Sequence, residues 1–189
     1  MPRRVVLLRG INIGPNNRIA MPALRSALED AGFASVSTYL QSGNVVLDSE
    51  LDDDALTARV AELIAAHFEL DIPIVVRDGA ELAEVVAENP FPEAAATNPK
   101  RFQVTFLSAR LPDDVAGRVH GVSSDVFAPG TETISLAISR RNVYGWHPQG
   151  VHVSKLAREL SDRRLGVTAT ARNWTTVMAL LDMVSGNAG

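Results

Sequence analysis

The chain has no cysteine among its 189 residues, two lysines against sixteen arginines, and only 5% aromatic residues. Without cysteine there are no disulfides, no thiolate nucleophile and no sulfur-ligated zinc, which leaves four histidines as the soft-metal ligands. His147 and His152 are close in sequence but lack a third partner, so no metal is expected. Long apolar runs are missing too. The opening MPRRVVLLRG has only a short apolar run before Arg9, and no later segment approaches ~20 uninterrupted apolar residues. A secretory leader and a membrane span are therefore not expected, and the cytoplasm is. The tripeptide SKL at Ser154–Leu156 is internal and so is no peroxisomal address. Gly10 and Gly14 do not make the dinucleotide pattern G-x-G-x-x-G, and GxxxxGK[ST] and the RNA-recognition pattern are absent. No cofactor is expected.

Acidic residues are missing from the first 28 positions. Arg3, Arg4, Arg9, Arg18 and Arg25 all precede Glu29, in a chain of formal net charge −4. From Asp48 to Glu93 the balance reverses, with only Arg59 and Arg77 opposing the acids. A second basic stretch contains Lys155, Arg158, Arg163, Arg164 and Arg172. A solvated face is the ordinary explanation of such runs. The sharper one is that the two basic ends meet around an anionic partner.

What is present reads as a soluble globular chain with 46% hydrophobic residues, enough for a sizeable core. Val5–Leu8 is a continuous apolar run suited to a strand buried on both faces, and Gly10–Ala20 is a loop. Pro22 suits a first helical turn, and Leu24, Leu28 and Ala31 form a stripe ended by Gly32. Val36–Gln41 and Asn44–Asp48 read as a hairpin around Ser42-Gly43. Asp52–Asp54 cap a helix with Leu56, Val60, Leu63, Ile64 and Phe68 on one face. A strand at Ile72–Val76 and a helix over Ala80–Glu88 follow.

That order is ferredoxin-like βαββαβ, in which right-handed crossovers insert the third strand between the first two. The tip of strand one then lies at the same sheet end as the hairpin turn, so topology brings together Arg9, Asn12, Gln41, Ser42 and Asn44. The proline-rich stretch 89–100 looks like a connection. The expected division is a ferredoxin-like domain over 1–90, a linker over 91–101 and a smaller α+β domain over 102–189, ending in two helices. The second domain should hold strands at Phe102–Leu107, near Asp125–Phe127, at Ile134–Ser139 and at Val143–Trp146, with Arg141-Asn142 turning the last hairpin. The halves begin alike, but no residue-level repeat is visible. The tail SGNAG should fray.

Two helix starts attract attention. Ser154 is a natural N-cap that puts Lys155 first in its helix, where a cation opposes the macrodipole and a bound anion would relieve the conflict. Thr170, Arg172, Asn173 and Thr175 surround the start of the helix carrying Trp174, Val177, Met178, Leu181 and Val184, and free N–H groups there favour phosphate or carboxylate. Capping accounts for Asn173 and a structural ion pair would account for Arg172. Trp174 reads as core. Ser42 lacks the strand-turn-helix setting of a nucleophile and reads as a turn donor. His152 beside Lys155 is a weak general-base candidate.

The segments LLRGINIG, MPALRSAL, GFASVSTYLQSGNVVL, GVHVSKL and TARNWTTV resemble the successive motifs of a bacterial family, domain-of-unknown-function family 1697. The resemblance runs from about Val5 to Leu181. It implies a cytoplasmic α+β protein with a ferredoxin-like portion, and it supplies neither an activity nor catalytic residues. One departure is Pro15 after Gly14, where the pattern calls for glycine and proline stiffens the loop. The expected site is a small-anion site between the domains, with Arg9, Lys155 and Arg172 supplying charge and Asn12, Ser42, Asn44 and Asn173 orienting a phosphate- or carboxylate-bearing ligand. Acyl or phosphoryl transfer suits such donors, although no paired carboxylates accompany them. The alternative is nucleic-acid binding through the basic ends with Tyr39, Tyr144 or Trp146. Nothing in the sequence specifies an oligomeric state.

Overall fold

The computed structural model describes residues 1–121 and 134–186. The strand expected near Asp125–Phe127 and the last three residues of the tail lie outside the described residues. Contacts divide the chain into two compact units, Met1–Ala83 with the C-terminal segment from Ala179, and Glu84–Met178.

The first unit contains β1 (Arg3–Leu8), α1 (Met21–Asp30), β2 (Ala34–Tyr39), β3 (Asn44–Asp48), α2 (Asp53–Phe68) and β4 (Ile74–Asp78). Its sheet has the order β2-β3-β1-β4 with every neighbouring pair antiparallel. This is the ferredoxin-like arrangement. Val6, Leu8, Val45, Leu47 and Val76 face Leu24, Leu28, Leu56, Val60 and Ile64 in one core. Val5 and Leu7 point the other way and are equally buried, as the unbroken apolar run of β1 predicts. Pro22 starts α1, and Asp52 Oδ1 caps α2 by accepting the Ala55 N–H at 2.8 Å. β4 begins two residues later than expected, because Pro73 has no N–H to give a ladder; its carbonyl instead accepts the Arg9 N–H at 2.9 Å.

Two helices follow β4, α3 (Gly79–Ala87) and α4 (Pro92–Thr97), so part of the stretch expected to be a linker is helical, with Phe91 and Ala94 buried. The boundary between units falls within α3. The second unit continues with β5 (Phe102–Leu107), α5 (Asp113–His120), β6 (Ser135–Ser139), β7 (Asn142–Trp146), α6 (Lys155–Glu159), α7 (Asp162–Leu165) and β8 (Ala169–Asn173), before α8 (Trp174–Val184). The hairpin turns at Arg140-Arg141, one residue earlier than expected, with Arg140 at φ 50°.

β8 adds a strand to the expected helix start. Arg172 and Asn173 do immediately precede the α8 N-terminus at Trp174, but with Thr170 they lie in an edge strand paired with β5, Arg172 opposite Val104 and Thr170 opposite Phe106. The segment ATARN has no apolar alternation, so its extended form comes from pairing with a distant strand. With β8 in place the second sheet has the order β6-β7-β5-β8, all antiparallel. Among the described residues, β1-α1-β2-β3-α2-β4 of the first unit is matched by β5-α5-β6-β7-α6/α7-β8 in the second, with the same strand order and around separate cores.

Correspondence extends to single hydrogen bonds. Leu8 N–H donates to Gly43 O at 2.8 Å, and Leu107 N–H to Arg141 O at 2.9 Å. Arg9 N–H donates to Pro73 O, and Ser108 N–H to Thr168 O at 2.8 Å. Arg77 sits opposite Val5 as Arg172 sits opposite Val104, and each guanidinium donates to the carbonyl of the preceding residue, at 2.7 and 2.9 Å. Asp78 then caps α3 through Glu81 N at 2.7 Å, as Asn173 caps α8 through Thr176 N at 2.9 Å.

Candidate functional site

The end of the first sheet brings together the residues that topology predicts. Asn12, at φ 56°, donates from Nδ2 to Ile19 O at 2.9 Å and to Gln41 O at 2.8 Å, while its Oδ1 accepts Ile19 N–H at 3.0 Å. Its amide thus ties the 10–20 loop to the hairpin turn. Asn44 is fully buried and donates to Tyr39 O at 3.0 Å and to Ser42 Oγ at 2.9 Å, so it closes the hairpin from inside. Ser42 and Gln41 are exposed at the turn. Arg9 is half-buried just past β1, and loss of solvent lowers its pKa from the usual arginine value. Of the other N-terminal arginines, Arg3 pairs with Asp48 at 3.5 Å, Arg4 with Asp53, and Arg25 with Glu29 at 2.8 Å.

In the second unit, Ser154 Oγ caps α6 by accepting Ala157 N–H at 3.4 Å, and Lys155 is the exposed first residue, both as expected. α6 has only five residues, so the dipole that Lys155 opposes is that of little more than one turn. Arg172 is buried and donates from Nη1 to Thr170 Oγ1 at 2.8 Å; burial pulls its pKa down to about 10, still charged at neutral pH. Asn173 acts as the α8 cap.

The two copies of the fold separate these seven residues. Arg172 matches Arg77, Asn173 matches Asp78, and Asn44 matches Asn142, which opens β7 as Asn44 opens β3. These three positions are occupied alike in both units. Arg9 matches Ser108, whose Oγ accepts Thr168 N–H at 3.1 Å. Lys155, first in α6, matches Asp53, first in α2, where an acidic residue suits the helix dipole. Arg9 and Lys155 are thus cations that one copy carries and the other does not.

Sequence reasoning missed two features. Arg77 is 1% exposed within an apolar strand, and the only local sign is an arginine inside IVVRD. His147 is buried with Nδ1 2.8 Å from Ser154 Oγ, and burial lowers its pKa to about 4. Its partner is seven residues away, beyond any helical or strand spacing. Neutral His147 belongs to the folded chain, so as pH falls the unfolded chain takes up this proton first. Stability should be complete above pH ~6.5 and decline as the pH drops toward about 4. At ~1.4 kcal/mol per pH unit the loss amounts to roughly 2–3 kcal/mol. Urea unfolding at pH 7 and 4.5 should show this slope in wild type and a flatter one in His147→Gln; parallel slopes would refute it.

A cleft of about 570 Å³ lies at the opposite end of the first sheet, lined by Ala31, Phe33, Leu51, Ala55 and Ala58 with Asp48 and Glu62. None of the seven expected residues lines it. Among the described residues no three His, Asp or Glu side chains gather as a metal site, and no helix is long and apolar enough to cross a membrane.

Comparison with known proteins gives a family and a fold. The model of a family described as "Protein of unknown function (DUF1697)" matches residues 1–135. No curated protein matches the chain. Among solved structures, a conserved bacterial protein from Streptococcus pneumoniae is 18% identical, covers 97% of this chain and 98% of its own, and superposes with a TM-score of 0.74. At that identity the likeness shows the fold.

Proposed function

The chain belongs to the DUF1697 family of proteins of unknown function, and from that premise we propose that it binds a small phosphate- or carboxylate-bearing ligand, with Arg9 the principal cation. The observation that carries this reading is Ser108. At the position equivalent to Arg9, the same backbone bond forms with a serine, so the fold does not demand an arginine there. Arg9 is half-buried, and a guanidinium can give charge-assisted hydrogen bonds to a phosphate or carboxylate. Arg172, Asn44 and Asn173 have counterparts in Arg77, Asn142 and Asp78 and are read as structural, while Ser42 and Gln41 are exposed in the turn that Asn12 braces. Donors of this kind stabilise developing negative charge, so acyl or phosphoryl transfer is the reaction class the reading admits.

Nucleic-acid binding draws less support. Tyr144 and Trp146, two of the aromatic residues that would stack bases, are 0% and 6% exposed. Tyr144 donates to Val85 O at 2.9 Å, and burial together with Glu88 raises its pKa to about 12.

The test is a thermal-shift series with phosphate, sulfate and nucleotides on wild type, Arg9→Gln and Lys155→Ala. A ligand at 100 times its Kd adds ~2.7 kcal/mol, or ~5–11 °C for a chain of this size. Arg9→Gln should erase the shift, and Lys155→Ala, in the other unit, should leave it. A shift that survives in Arg9→Gln would remove Arg9 from the site, and one given only by RNA and erased by salt would favour the nucleic-acid reading.

A further inference from the structure

The cleft at the end of the first sheet opposite Arg9 takes no part in the anion reading. It is built within the first unit: Ala31 and Phe33 lie between α1 and β2, Leu51 follows β3, and Ala55 and Ala58 belong to α2. At about 570 Å³ it has the capacity of a small-molecule site, and most of its wall is apolar, as in such sites. Leu51, one of the large hydrophobic residues exposed among the described residues, stands on that wall. A ligand with an apolar body would take these surfaces out of water.

Charge decides what else the ligand carries. The cations that line the cleft already have acids beside them, Arg59 with Glu62 at 3.7 Å and the Met1 amino group with Glu50 at 3.6 Å, while Asp48 pairs with Arg3. Nearby, Glu29 pairs with Arg25 and Asp53 with Arg4. Asp30, Asp52 and Asp54 are different: each is exposed, each is the chain neighbour of a lining residue, and none forms an ion pair among the described residues. The helix ends leave this excess standing, because α2 brings about half a positive charge at its N-terminus and α1 about half a negative one at its C-terminus. Asp52 and Asp54 suit the start of α2. Asp30, by contrast, ends α1, where an acid opposes the dipole and no basic residue stands in the last turn. The cleft therefore lies in a negative field, which a low-dielectric hollow focuses.

We infer that this cleft binds a small amine, a primary ammonium on a short aliphatic or aromatic body, with the body against Phe33, Leu51, Ala55 and Ala58 and the ammonium held by the surrounding carboxylates. None of its residues belongs to the anion reading, so either can fail alone.

Calorimetric titration with phenethylamine, phenethyl alcohol and hydrocinnamate, which share a ring and differ in charge, provides the test. Unbalanced carboxylates about 10 Å away should favour the amine over the alcohol by roughly 5-fold at low ionic strength, and hydrocinnamate should bind most weakly. In Asp30→Asn/Asp54→Asn the amine should lose that preference while the alcohol keeps its affinity. Ala58→Phe, which fills the cleft from an exposed helical position, should abolish binding of both, and Ala55→Leu should weaken it. Equal affinities for amine and alcohol in wild type, or a preference that survives in the double aspartate variant, would overturn the inference. So would the absence of amine binding, or binding that neither filling variant alters, since the ligand would then lie elsewhere.

Discussion

Gly43→Val should cost the first unit about 3 kcal/mol or more, a fall in Tm of roughly 6–12 °C for a chain of this size. Two causes add. Gly43 sits at φ +74°, where a β-branched residue loses ~1–2 kcal/mol. A Cβ there would also stand 2.6 Å from Leu8 Cβ and 3.0 Å from the Ile11 side chain, both residues buried. Overpacking of that kind costs ~1–3 kcal/mol. Gly10→Ala is the control: φ is +65° but nothing lies within 4 Å of the added carbon, so only the backbone cost applies. Denaturant unfolding of the two variants decides it, and losses that agree within ~1 kcal/mol would refute the steric part. Because Gly43 O accepts the Leu8 N–H, displacement of the turn should also move Ser42 and Gln41.

The second large effect belongs to Phe102. Its ring is fully buried, with centroids 5.3 Å from Trp174, 6.3 Å from Phe91 in an edge contact, and 6.5 Å from Tyr144 in a stacked one. Truncation to alanine removes all three contacts and leaves a cavity, so Phe102→Ala should destabilise by ~3–5 kcal/mol. Phe102→Leu keeps most of the apolar volume and should lose less, the remainder reporting the ring geometry. A loss below ~2 kcal/mol for the alanine variant would mean that the cluster collapses around the gap. Trp174, read as core from its helical stripe, is part of this cluster at the first position of α8.

The candidate site was legible as far as local pattern carries. Asn12 and Gln41 could be placed together because βαββαβ topology puts the strand tip and the hairpin turn at one sheet end, and a 2.8 Å bond joins them. Ser154 was recognisable as a cap because capping is a short-range property. The strand that carries Arg172 up to the α8 terminus was not legible, because Thr170, Ala171, Arg172 and Asn173 carry no periodicity of either kind. The equivalence of Arg172 with Arg77 could not be seen in letters, since Thr-Ala-Arg-Asn and Val-Val-Arg-Asp share one identical residue and an Asp/Asn pair.

The sequence by itself determined the classes of chemistry that are excluded by lacking cysteine, the acid-free N-terminal stretch, the element order of the first unit and its buried central strand, because composition and apolar spacing act within a few residues. Only tertiary structure decided that ATARN is a strand, that His147 meets Ser154 in the interior, and that the fold occurs twice. Those outcomes depend on pairing between segments tens of residues apart, as when β8 takes its register from β5. Such pairing is rewarded only after the intervening chain has closed, so it leaves no mark on the local sequence.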